Sequence, residues 1–341
     1  MAIQRAAVIG GGSFGTVVAN ILADNHVDST QWLRNEDIAN SINQLHTNEQ
    51  YLPGIALNPA LKATTDIADA IAGADVIFVS VPSKSVRQVL GSLAGLVTPN
   101  QALVSTTKGI EPEQFLLMSQ VISEMFPNNP VGVLSGPNLA KEIARKELAA
   151  TVIASENSDL RRDTQEALSC DYFRVYASND VFGVELGGAL KNIYAIVSGF
   201  VAALGMGENT KSMIITRSLA EMSRFAEAMG ANPLTFLGLA GVGDLVVTCM
   251  SPLSRNYRVG YAIGSGKNLE QAIDELGEVA EGVNTLRYVR AKAAEWGIYM
   301  PLVMGAYECL FNGANPAVVA QGLMTGEAAS DVEFALPKHE I

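Results

Sequence analysis

The chain has 341 residues, 48% hydrophobic and 17% charged, which supplies core enough for two ordinary domains and argues against disorder. Its formal net charge of −12 disfavours a nucleic-acid partner and electrostatic docking on an anionic membrane. An anionic substrate would be repelled by the overall field, so a site for one must rest on a few local lysines or arginines.

In chain order, the first half alternates apolar runs with helical spacing. Ala6-Ala7-Val8-Ile9 reads as a buried strand that begins almost at the N-terminus, with no leader-like segment before it. Residues 15–25 follow with helical spacing, then a second strand at Thr30-Gln31-Trp32-Leu33. Further strand-like runs lie at 76–80 and 102–105, with a helix expected over 83–96 between them. A helix over 114–125 precedes the last two runs, 132–134 and 151–154. Continuous rather than alternating apolar strands, interleaved with helices, predict a mainly parallel sheet covered on both faces.

From about Asn179 the strands give way to long helical patterns over 181–204, 209–228, 268–276 and 281–296, punctuated by Asn232-Pro233 and Ser251-Pro252. The boundary is placed near 178–190, giving a domain of residues 1–180 and a helical domain of residues 181–341. No low-complexity linker separates them, so close packing with a cleft is expected. The most membrane-like stretch, 181–206, contains Glu185, Lys191 and Asn192 and reads as a buried helix with functional polar groups. The tail, 327–341, is expected to fray.

Cys170, Cys249 and Cys309 form no CxxC pair and are odd in number, which fits a reducing, cytoplasmic compartment. His26, His46 and His339 are scattered, with no metal-binding spacing, so no metal is expected.

Gly10-Gly11-Gly12-Ser13-Phe14-Gly15 satisfies G-x-G-x-x-G. The pattern alone is weak, but here a strand precedes it and a helix pattern follows, as in a Rossmann-type doubly wound fold. Gly10 permits a tight turn, Gly12 a close approach of a pyrophosphate, and Gly15 close helix–strand packing. The free N–H groups of the helix start then face the phosphates. Where an acidic residue would bind a ribose hydroxyl, the chain has Arg34. An arginine there suits a 2′-phosphate, so NADP(H) is the preferred cofactor; Glu36 and Asp37 nearby leave NAD(H) open.

Several strings then line up: Gly10 to Gly15, Lys108-Gly109-Ile110-Glu111, Leu134-Ser135-Gly136-Pro137-Asn138-Leu139-Ala140, and Glu185-Leu186-Gly187-Gly188-Ala189-Leu190-Lys191-Asn192. Gly238-Leu239-Ala240-Gly241-Val242-Gly243-Asp244-Leu245, Ser254-Arg255-Asn256 and Glu278-Val279-Ala280-Glu281-Gly282 complete the series. Together, over nearly the whole chain, they resemble the bacterial NAD(P)-dependent sn-glycerol-3-phosphate dehydrogenases. The resemblance implies reversible reduction of dihydroxyacetone phosphate to sn-glycerol 3-phosphate, the precursor of glycerophospholipids. One departure is visible: the family usually has Ser-Phe after Gly-Pro, where this chain has Asn138-Leu139. Asn138 can still donate and accept hydrogen bonds.

Ketone reduction needs a proton donor at the carbonyl oxygen and stabilisation of the charge that develops there; a phosphorylated substrate adds the need for a clamp. Lys191 interrupts an apolar helix pattern and matches the family string, so it is the expected general acid/base; a snorkelling lysine is the bland alternative. Asn192 beside it is an expected substrate or lysine partner. Lys108 lies past the fourth recognised strand, at the end where open sheets bind ligands, and is expected to touch substrate and cofactor. Asp244, in a glycine-rich loop entering a helix, is expected to hold the ammonium or bind substrate, and an N-cap role is compatible with that. Thr248, four residues on, shares its helix face and could donate a hydroxyl.

Ser254, Arg255 and Asn256 suit a phosphate. The resemblance assigns the phosphate to this segment and has Arg255 touch the cofactor as well. Gly136 and Ala140 fall in a loop after the fifth recognised strand. Val279 and Glu281 resemble the family's late cofactor contacts. The remaining alternatives are a dehydrogenase of another hydroxy acid or ketone on the same two-domain fold, and a non-catalytic nucleotide sensor. A homodimer is the default assembly, since two-fold dimers are commonest.

Overall fold

The structure, a computed structural model, describes residues 2–111, 114–276 and 280–325. The chain divides into two compact units, Met1–Glu185 and Leu186–Ile341.

The strands of the first unit are β1 (Arg5–Ile9), β2 (Asp28–Trp32), β3 (Lys62–Thr64), β4 (Val76–Val79), β5 (Ala102–Ser105), β6 (Ile110–Glu111), β7 (Leu116–Leu117), β8 (Val131–Ser135), β9 (Ala149–Ser155) and β10 (Phe173–Ser178). Among the described residues, eight of them form one sheet in the order β10-β9-β8-β5-β4-β1-β2-β3, while β6 and β7 make a separate antiparallel pair. From β3 to β8 every pairing is parallel; β9 runs antiparallel to β8, and β10 follows β9 in parallel. The order 3-2-1-4-5 with a sixth strand beyond is the doubly wound Rossmann arrangement, and the chain reverses its direction of travel between β1 and β4.

Its helices are α1 (Ser13–Asp24), α2 (Glu36–Leu45), α3 (Ile67–Ile71), α4 (Ser83–Leu93), α5 (Met118–Met125), α6 (Ala140–Ala144) and α7 (Ser158–Leu168). Alternate residues of β1 explain its unbroken apolar run. Ala6 and Val8 enter a core shared with Val17, Val18 and Ile21 of α1, whereas Ala7 and Ile9 enter another shared with Val86, Leu90 and Val121 of α4 and α5.

Two strands of the sheet escaped the sequence reading. β3 has three residues, and β10 is an edge strand whose Phe173 and Val175 are buried while Arg174 and Tyr176 are exposed. Neither forms a continuous apolar run. Lys108 therefore follows the fifth strand, not the fourth, and Gly136 follows the sixth strand of the large sheet. Helix α5 starts at Met118 rather than 114, because Leu116 and Leu117 pair with Glu111 and Ile110.

In the second unit the helices are α8 (Val181–Ala203, whose first turn falls in the first unit), α9 (Glu208–Ala228), α10 (Asp244–Met250), α11 (Arg255–Gly264), α12 (Leu269–Leu276), α13 (Glu281–Trp296), α14 (Pro301–Phe311) and α15 (Pro316–Met324). Among the described residues only α8 is long and apolar enough to cross a membrane, and 83% of its apolar window is buried inside the protein. A helix apolar on all sides is a core helix when its surface is covered. Helices α8 and α11 touch backbone to backbone: a Cβ on Gly260 would lie 1.9 Å from the Ile196 carbonyl oxygen, and one on Gly199 would lie 2.2 Å from that of Tyr257. That approach seats the start of α11 on the helix that carries Lys191 and Asn192.

Candidate active site

In the first unit, β1, β2, β4, β5 and β8 all end at one edge of the sheet, and the predicted residues of this unit follow those ends. Gly10 leaves β1 with φ +132°, and a Cβ there would lie 2.2 Å from the Ser80 carbonyl oxygen. A Cβ on Gly15 would lie 2.5 Å from the Gly10 oxygen. Gly12 is different: a Cβ there would meet nothing within 4 Å. The turn and the helix contact thus exclude side chains at Gly10 and Gly15, while the face of Gly12 stays open to a ligand.

Gly12 caps α1 without any side-chain hydrogen bond, so a donor-rich helix start stands beside that open face. These features fit a dinucleotide pyrophosphate. Ser13 is partly exposed and its hydroxyl donates to the Tyr51 carbonyl (2.9 Å), and Phe14 packs on the core beneath. Arg34 is exposed just beyond β2, next to Asn35, whose side chain caps α2.

Lys108, partly buried, donates through Nζ to the Gly136 carbonyl oxygen (2.9 Å), joining the chain beyond β5 to the turn beyond β8. Gly136 has φ +150°, and a Cβ there would press within 3.1 Å of the Thr151 Cα. Asn138 Nδ2 donates to the Thr151 hydroxyl (3.0 Å), which itself donates to the Ser135 carbonyl (3.1 Å). Asn138 Oδ1 is buried and has no hydrogen-bond partner among the described residues. Ala140, expected in the same loop, instead opens α6.

In the second unit Lys191 is buried, not snorkelling: its side chain is 7% exposed and that of Asp244 0%. Lys191 Nζ donates to Asp244 Oδ1 and to the Thr248 hydroxyl (2.8 Å). A lone buried ammonium is costly, and the carboxylate offsets that cost. The Thr248 hydroxyl spends its own proton on the Asp244 backbone carbonyl (2.6 Å). It therefore serves the ammonium as an acceptor, where the sequence suggested a donor. The glycine-rich run is no loop: Leu239–Gly243 forms a π-helical turn that leads straight into α10, with Asp244 as its first residue. Such turns recur at functional sites.

Asn192 and Asn256 are both buried, and Asn256 Nδ2 donates to Asn192 Oδ1 (2.9 Å). Asn256 Oδ1 accepts from the Gly282 backbone N–H (2.9 Å), which pins the first turn of α13 and hence Glu281, its first residue. The Asn256 amide is thus largely committed inside the protein. Ser254 caps α11 by accepting from the Tyr257 N–H (3.4 Å), and Arg255 follows, exposed, in the first turn. Val279 and the tail 327–341 lie outside the described residues. Beside this cluster, burial pushes the Cys249 thiol up to about 12, against the pull of Ser198 and the Lys191 ammonium, so it is no nucleophile at neutral pH.

The family model for the N-terminus of NAD-dependent glycerol-3-phosphate dehydrogenase matches residues 5–161, and that for its C-terminus matches residues 180–321. The chain belongs to this family. It is 56% identical over 334 residues to glycerol-3-phosphate dehydrogenase [NAD(P)+] of Azotobacter vinelandii strain DJ, covering 98% of each chain. Identity to the protein of the same name from Acinetobacter baylyi is 55% over 337 residues, covering 99% of this chain and 94% of that one. The crystal structure of glycerol-3-phosphate dehydrogenase from Coxiella burnetii superposes with a TM-score of 0.90 at 34% identity, over 95% of this chain and 99% of that one.

Two supporting residues of this family member escaped the sequence reading. Ser80 backs Gly10 and Gly15, and Thr151 holds Asn138. Both stood within apolar runs, where a hydroxyl was the only available signal.

Proposed function

We propose that this chain catalyses the reversible reduction of dihydroxyacetone phosphate to sn-glycerol 3-phosphate, with NADPH preferred and NADH accepted, and so supplies glycerophospholipid synthesis. The carrying observation is the buried Lys191–Asp244–Thr248 cluster, in a chain whose two halves both match the family. When bound, the reduced nicotinamide would supply the hydride that the ketone needs. Lys191 gives the proton that completes the alcohol at the C2 oxygen, and takes it back in the reverse direction. Asp244 holds the ammonium, with Thr248 fixing its direction.

Lys108 polarises the carbonyl and touches both ligands. Ser254 and Arg255 hold the phosphate, with Arg255 reaching the cofactor also; Asn256 contributes chiefly by fixing Asn192 and Glu281. Gly136, Asn138 and Asn192 bind substrate. The glycine loop, Arg34, Ala140, Val279 and Glu281 bind cofactor. A two-fold homodimer is proposed on general grounds, and sedimentation would test it. A cytoplasmic setting is supported by three free cysteines.

The decisive assay mixes the enzyme and NADPH with dihydroxyacetone phosphate or with a panel of other ketones, and follows cofactor oxidation. Turnover confined to the phosphorylated ketone supports the proposal. Preference for an unphosphorylated hydroxy-ketone overturns it, and tight cofactor binding without turnover would mark a sensor.

A further inference from the structure

The glycine loop rests on three polar side chains that the reaction does not itself call for. Thr16, Gln31 and Asn48 are 0%, 0% and 1% exposed. Gln31 lies in β2 and is wholly withdrawn from water. Its Nε2 donates to the Gly10 carbonyl (2.8 Å) and to the Thr16 hydroxyl (3.0 Å). Asn48, from the chain beyond α2, donates through Nδ2 to the Gly11 carbonyl (3.1 Å) and to the same hydroxyl (2.9 Å). Both amide oxygens, Gln31 Oε1 and Asn48 Oδ1, are buried and have no hydrogen-bond partner among the described residues. An unsatisfied buried acceptor destabilises the folded state, so keeping two of them needs a reason.

Peptide geometry supplies it. In a trans peptide the carbonyl oxygen and the next residue's N–H point in opposite directions. Drawing the Gly11 oxygen inward to Asn48 turns the Gly12 N–H away from Asn48. Drawing the Gly10 oxygen to Gln31 orients the Gly11 N–H in the same manner. Glycines are otherwise free to rotate these planes, and an unsupported loop would have to order them on binding.

We infer that Gln31 and Asn48, joined through Thr16, are positioning residues that set the Gly10–Gly11 and Gly11–Gly12 peptide planes for a dinucleotide pyrophosphate. The inference rests on the cofactor reading above and adds to it the side chains that preorganise the loop.

The test uses Gln31→Met and Asn48→Leu, which keep shape and remove the donor, with Gln31→Glu as a polar alternative should Met impair folding. Dissociation constants are measured by titration for NADPH and for adenosine 2′-monophosphate, which lacks a pyrophosphate, alongside Tm. The expected result is a tenfold or greater rise in the NADPH Kd, a change of no more than twofold for the monophosphate, and a largely retained Tm. Unchanged NADPH binding in a folded variant overturns the inference, as does equal weakening of both ligands. If the unmutated enzyme bound neither NADPH nor NADH, the cofactor reading itself would fail, which is a separate outcome.

Discussion

Lys191 and Asp244 stand 53 positions apart in the chain, yet the lysine ammonium and the aspartate carboxylate are in contact and almost wholly withdrawn from water. Removing one partner leaves the other charge buried alone, at about 3–5 kcal/mol. Lys191→Ala should therefore lower both kcat and Tm. Lys191→Ala combined with Asp244→Ala should recover much of the Tm while activity stays about 100-fold or more below the parent. Steady-state kinetics and thermal melts separate the two effects; recovery of activity in the double variant would exclude Lys191 as the proton donor.

Arg34 emerges from the end of β2 with its side chain exposed, where a 2′-phosphate is expected. Arg34→Ala should raise KM for NADPH about tenfold and leave that for NADH nearly unchanged, since one charge-assisted bond to phosphate contributes about 1.5–3 kcal/mol. An unaltered ratio of the two cofactors' kcat/KM would reject the assignment.

Arg255, exposed in the first turn of α11, carries the proposed phosphate contact. Arg255→Ala should raise KM for dihydroxyacetone phosphate much more than it lowers kcat. Raised salt should narrow the gap between parent and variant, as screening weakens the charge. A variant in which kcat alone falls would place Arg255 in the chemistry instead.

Gly10 and Gly12 should respond oppositely to one methyl group. Gly10→Ala drives a Cβ into the Ser80 carbonyl at a positive φ and should depress Tm sharply. Gly12→Ala meets no neighbour within 4 Å, so Tm should hold while NADPH affinity drops about tenfold or more. Melts and cofactor titrations on the two variants read this directly.

Two buried carboxyls make stability depend on pH. Burial pushes Glu185 up to about 7, against the hydrogen bonds it accepts from Ser119, and pushes Glu221 up to about 7, against those from Leu302 and Val303. An unfolded chain ionises them near 4.5, whereas the folded protein keeps their protons until about 7. Stability from these groups is therefore complete below 4.5, declines as pH rises from there to 7, and then levels off. The decline amounts to roughly 3 kcal/mol per group. Glu185→Gln and Glu221→Gln should each flatten the dependence of Tm on pH across that window; a steeper dependence would contradict the assignment.

The residues proposed for the site were legible because they stand out chemically from their neighbours. A lysine within an apolar helix pattern, three glycines between strand and helix, and an arginine at a strand end all announce themselves. Gln31 was equally conspicuous within Thr30-Gln31-Trp32-Leu33, but its meaning depends on where the Gly10 carbonyl points, and sequence spacing carries no such information. Edge strand β10 was invisible for a different reason: one side of it faces water, so it never forms the unbroken apolar run that marks the inner strands. The dual commitment of Asn256 was hidden because Gly282 comes 26 residues later and contributes only its backbone.

The reversal of β9 against β8 has a consequence for how tolerant the binding edge is to insertions. A parallel neighbour would offer its last residues there; β9 offers its first ones, and Thr151 reaches Asn138 because of it. The reach is set by the length of chain between 136 and 148. One residue gained or lost in that connection, if taken up as a register slip, would swing the threonine hydroxyl to the sheet's other side and leave Asn138 without its anchor. Loop length, and not only residue identity, is thus under constraint at this corner of the molecule.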